Sequence, residues 1–63
     1  MAPTVTVDLM TRAEVAELLR VSKPTLSRWA SLGVGPRVTW LGPALPRYDR
    51  ADVLDWLRLQ KAA

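Results

Sequence analysis

The apolar and polar positions change rhythm along the chain, and each change marks an element. Residues 1–9 (MAPTVTVDL) carry Pro3 and a β-branched run with no helical period, and read as a flexible or weakly extended arm. From Thr11 the pattern turns helical. Thr11 and Glu14 have the spacing of a capping box, and Val15, Leu18 and Leu19 recur on one face with Ala16 beside them. Glu14, Glu17 and Arg20 fall opposite, and Leu9 or Met10 can pack back on the first turn. Arg20-Val21-Ser22 ends this helix. Ser22 is a good N-cap, Pro24 suits a first turn, and a second helix is predicted over residues 23–32, stopped by Gly33. Two short helices joined so tightly must cross steeply, which is a helix-turn-helix.

Beyond Gly33 the rhythm is that of strands. Arg37-Val38-Thr39-Trp40-Leu41 favours a strand, Gly42-Pro43-Ala44-Leu45-Pro46 a bend, and Arg47-Tyr48-Asp49 a short return. Prolines at 43 and 46 confine them to an edge-type ribbon, which needs the helices for support. Asp49 caps a third helix, whose core face is Val53, Leu54, Trp56 and Leu57 and which ends near Gln60. The predicted fold is mainly α with a small two-stranded β-wing, in the order helix, helix, ribbon, helix: a winged helix-turn-helix. Residues 10–60 form the domain, residues 1–9 the arm and residues 61–63 a tail.

Composition removes whole classes of function. A chain of 63 residues holds one domain with a thin core, and small domains of this kind often need disulfides or a metal. With no Cys and no His, a disulfide framework, a zinc finger and any Cys- or His-dependent catalysis are excluded. No apolar run reaches the roughly 18 residues of a membrane span, so a soluble, cytoplasmic domain with no membrane partner is expected. A nucleophile would have to be Ser, Thr or Lys, and Asp52 and Asp55 are better explained as a solvated face in which Arg58 pairs with Asp55. Glycines 33, 35 and 42 are turn formers, not a phosphate loop. No enzyme, cofactor or metal site is expected.

Charge gives the positive indication. Residues 1–19 set Arg12 against Asp8, Glu14 and Glu17, a net of −2. Residues 20–50 set Arg20, Lys23, Arg28, Arg37, Arg47 and Arg50 against Asp49, a net of +5, while residues 51–63 balance. Seven Arg against two Lys, in a chain without Ile, Phe or Asn, fits a GC-rich coding sequence, so placement carries more than count. A concentrated positive middle suits a polyanion. If Leu26, Trp29 and Ala30 face inward, Lys23, Ser27 and Arg28 face outward with Thr25 near the helix start. Such a helix fits the major groove of B-DNA, where Arg28 can pair with guanine O6 and N7 and Lys23 can read a base or hold a phosphate. Ser22 is adequately explained as a cap. Arg37 and Arg47 flank the ribbon, either to lie along a minor groove or the adjacent backbone or to discourage edge aggregation. Trp29 and Trp56 have core spacing, and Tyr48 packs with its hydroxyl at the surface. Trp40 shares a strand face with Val38 and either closes the core or stands exposed on the wing, against the DNA backbone or a protein.

The stretch LMTRAEVAELLRVSKPTLSRWASLGVGPRV, followed by PRYDRADVLDWL, resembles the excisionase and AlpA-type branch of the MerR-like winged helix-turn-helix proteins over about residues 9–59. The resemblance implies that the second helix reads the major groove through Lys23, Thr25, Ser27 and Arg28. It implies that the wing meets a minor groove or phosphates through Arg37 and Arg47, and that Arg12 and Arg20 clamp phosphates. Trp40 stands where a basic or polar residue is more usual, and the GPALP tip carries no basic residue; both depart from the family pattern. An effector-responsive switch, which in full-length MerR regulators uses a long coiled coil and an effector domain, is not expected. The implied role is that of a recombination directionality factor. It would bind double-stranded DNA beside an attachment site, cooperatively with other copies, and bias a tyrosine or serine integrase toward prophage excision. An AlpA-type transcriptional regulator of prophage genes is the alternative, and an adaptor acting through the third helix and Trp40 is a third.

Overall fold

Helix starts fall where the capping residues predict them. The computed structural model describes residues 8–62, in the order β1 (Leu9–Met10), α1 (Arg12–Leu19), α2 (Lys23–Leu32), β2 (Thr39–Trp40), β3 (Pro46–Asp49) and α3 (Arg50–Ala62). The Thr11 hydroxyl accepts from the Glu14 N–H, and the Glu14 carboxylate accepts from the Thr11 N–H at 2.8 Å. Ser22 accepts from the Thr25 N–H, and Asp49 accepts from Ala51 at 3.1 Å as α3 begins. These side chains satisfy donors that have no partner inside the helix.

The Thr11 N–H, and then the Thr11 side chain, hold the Glu14 carboxyl below its ordinary pKa. A depressed folded-state pKa means that the cap contributes fully above the unfolded value and is lost as pH falls through the lowered one. Acid titration followed at the Thr11 amide by NMR should show the cap opening below the usual glutamate range. Opening at the usual value would contradict the reciprocal cap.

α1 stops without a glycine. Arg20 itself takes the left-handed conformation (φ 58°), and the Val21 N–H closes on the Ala16 carbonyl at 2.9 Å. A non-glycine residue pays roughly 1–2 kcal/mol for that geometry. α2 ends in the same way at Gly33 (φ 73°), with the Val34 N–H on the Trp29 carbonyl. Gly35 (φ 81°) then passes over Trp29, where a Cβ would lie 2.9 Å from the ring. Only glycine fits there.

The ribbon is larger and less regular than the sequence suggests. The expected strand over 37–41 narrows to Thr39–Trp40, and Val38 packs against the core beside it. Leu9, assigned to the arm, forms β1 with Met10, and residues 1–7 of that arm lie outside the described residues. β3 is central in the antiparallel order β1-β3-β2, with Leu9 opposite Asp49, Met10 opposite Tyr48, Thr39 opposite Arg47 and Trp40 opposite Pro46. Asp8 continues this anchoring: its carbonyl accepts from the Arg50 N–H and its carboxylate pairs with the Arg50 side chain at 2.8 Å.

The core is small. Met10, Val15, Ala16, Leu26, Tyr48 and Val53 are buried together, with Leu19, Val21, Trp29 and Val38 packed around them. Leu18 and Leu54, expected in the core, are exposed instead: α1 buries Val15 and Ala16, and α3 buries Val53. Trp29 and Trp56 meet as predicted, ring centroids 5.5 Å apart and tilted by 45°, but both stay half-buried at the margin. α3 runs to Ala62, so Lys61, placed in the tail, is helical.

Candidate nucleic-acid interface

α2 turns one face in and the other out. Leu26 is buried, and Trp29 and Ala30 are half-buried beside it. Lys23, Ser27 and Ser31, four residues apart, form one exposed ridge, with Pro24 and Arg28 on the next. The cationic side therefore faces solvent and the tryptophan faces the domain, as the amphipathic pattern predicts. Thr25 differs. It is half-buried, and its hydroxyl lies 2.8 Å from Ser22 Oγ, where it reinforces the cap.

The cations divide by partner. Arg50 pairs with Asp8 and Arg58 pairs with Asp55, so their charges are largely offset locally. Among the described residues, Lys23, Arg28, Arg37 and Arg20 have no hydrogen-bond or ion-pair partner from their side chains, and all four are exposed. Arg47 is half-buried, and its Nη1 donates to the Pro46 carbonyl at 2.8 Å. The positive middle of the sequence is thus an uncompensated surface over α2 and the wing, less the share that Arg50 gives up to Asp8.

Arg12 joins these parts. Its Nε donates to the Tyr48 hydroxyl and its Nη1 to Ser27 Oγ, both at 3.3 Å, while its guanidinium carbon lies 5.9 Å from the centre of the Trp40 ring. One side chain at the start of α1 thereby touches the outer ridge of α2, the central strand and the wing. Periodicity gave no sign of this link. Tyr48 is buried, so its hydroxyl serves Arg12 instead of reaching the surface as expected. Trp40, for which the pattern left two positions open, stands exposed on the wing. Among the described residues no group of His, Cys, Asp or Glu can hold a metal, and no helix is long and apolar enough to cross a membrane.

Two helices in tight succession, an outward cationic ridge and a β-wing beside it define a winged helix-turn-helix domain. The chain belongs to the helix-turn-helix domain family whose model matches residues 9–61, a family typical of AlpA- and excisionase-type small DNA-binding proteins. No curated protein and no solved structure shows a significant match to the chain.

Proposed function

We propose that this chain is a sequence-specific, double-stranded-DNA-binding architectural protein: an excisionase, or recombination directionality factor, that promotes integrase-mediated prophage excision. The observation that carries the DNA reading is the solvent-facing side of α2, where Lys23 and Arg28 are exposed without side-chain partners among the described residues and Ser27 is exposed beside them. Lys23, Ser27 and Arg28 read or flank bases in the major groove, and Thr25 supports the helix start. Arg37 and Arg47 act on the wing, and Arg20 and Arg12 lie at the phosphate margins. The family's small DNA-binding members support DNA binding, and a composition without His or Cys suits a protein that works by binding and not by catalysis. A single reading helix and wing engage roughly 600–1,000 Å² of protein surface, which favours several copies on adjacent sites or help from the integrase. The setting is the nucleoid in the cytoplasm of a bacterial host.

The test is an in vitro recombination reaction with a tyrosine or serine integrase from the same genome and its attachment sites. Adding the protein should raise the ratio of excision to integration. An unchanged ratio while the chain occupies its site rejects the directionality role, and a response confined to a promoter reporter assigns it to transcriptional regulation.

A further inference from the structure

We infer that the uncharged tip of the wing is a DNA contact in its own right, an apolar wedge that enters a minor groove and opens it. This rests on the DNA reading above and names a contact that the arginines do not supply. Residues 38–46, VTWLGPALP, contain no charged side chain. Trp40 and Leu41 are each 54% exposed and Leu45 is 44% exposed, so the tip presents three large apolar side chains together. Single exposed leucines need no explanation, but a cluster at the end of an uncharged hairpin does.

The tip is also preorganised. The Leu41 N–H donates to the Leu45 carbonyl at 3.0 Å, the Leu45 N–H donates to the Gly42 carbonyl, and Pro43 and Pro46 restrict the turn. The Trp40 ring centre lies 5.9 Å from the guanidinium carbon of Arg12, whose Nη1 also donates to Ser27 on the outer face of α2. Arg37 shares a groove with Trp40 beside the end of α2, and Arg47 lies across the ribbon from Thr39. An apolar point with cations nearer the base of its ribbon matches a minor groove, whose sugar walls lie between two rows of phosphate. Leucine and other apolar side chains inserted there unstack base steps and kink the duplex toward the major groove, most readily at flexible pyrimidine–purine steps. A protein partner fits less well: three partly exposed side chains fall far short of the roughly 800 Å² that a stable interface takes from each partner.

The test compares the full chain with a Leu41→Ser/Leu45→Ser variant on a duplex enriched from a randomised library by the wild type. Binding is followed across a salt series, and bending by end-to-end energy transfer. Both leucines are exposed, so the variant should keep its circular dichroism and melting temperature. The expected result is about tenfold weaker binding, a smaller bend, and a salt dependence equal to that of the wild type because no phosphate contact is lost. Unchanged affinity and bend overturn the wedge while leaving the α2 reading intact. A loss seen only on duplexes that hold two copies also overturns it, and assigns the tip to contact between protomers. If the wild type enriches no duplex, the DNA reading itself fails and the wedge with it.

Discussion

Leu26→Ala is expected to remove about half of the folding stability of this domain. Leu26 is 1% exposed and is the residue through which α2 enters the core. Among the described residues six side chains are buried in that core, and a chain without cysteine has no disulfide to hold it if one is truncated. Emptying a leucine site costs about 2–5 kcal/mol, whereas a domain of this length has about 3–9 kcal/mol in all. Thermal unfolding followed by circular dichroism should therefore show a melting temperature at least about 10 °C lower. Leu18→Ala and Leu54→Ala provide the contrast, since both side chains are exposed and each change should stay within about 0.5 kcal/mol. A Leu26→Ala melt within a few degrees of wild type would mean that α2 is not seated as described.

The second large effect concerns binding and not folding. Lys23 and Arg28 are exposed and lack partners among the described residues, so replacing either with alanine should leave the melting curve unchanged. Their effects on DNA should differ in kind. A lysine that serves a phosphate weakens all duplexes alike, and its removal lowers the slope of log affinity against log salt by about 0.9. An arginine paired with a guanine supplies discrimination of about 1–3 kcal/mol. Arg28→Ala should thus bind the selected duplex roughly tenfold or more weaker while its binding to random duplex falls much less. Equal losses on both duplexes would make Arg28 a second phosphate contact.

How far the sequence foretold this arrangement depended on whether a signal was local. The caps at Thr11, Ser22 and Asp49 and the stop at Gly33 are local chemistry, and the helices begin and end on them. The outward ridge of α2 follows from a single helical period. Features that need distant partners were not visible. Leu9 joins the sheet only because β3 offers an edge forty residues later, although the β-branched run before it was a weak hint. Leu18 and Leu54 carry the right period, but their helices bury Val15, Ala16 and Val53 instead. The link from Arg12 to Ser27, Tyr48 and Trp40 spans four elements and leaves no periodic trace. Trp40 was ambiguous for a related reason: strand alternation gives its face but not how far along that face the helices reach. Arg50 counts toward the positive middle of the sequence, but its partner Asp8 lies forty-two residues away and offsets its charge.

The claim on which the functional account rests is that the outer ridge of α2 meets base edges in a major groove. Methylation interference at guanine N7 on the selected duplex tests it most directly, because that atom lies in the major groove and nowhere else. The account predicts a short run of guanines whose methylation blocks the wild type and ceases to matter for Arg28→Ala. Binding of the wild type that ignores N7 methylation throughout the site would contradict it.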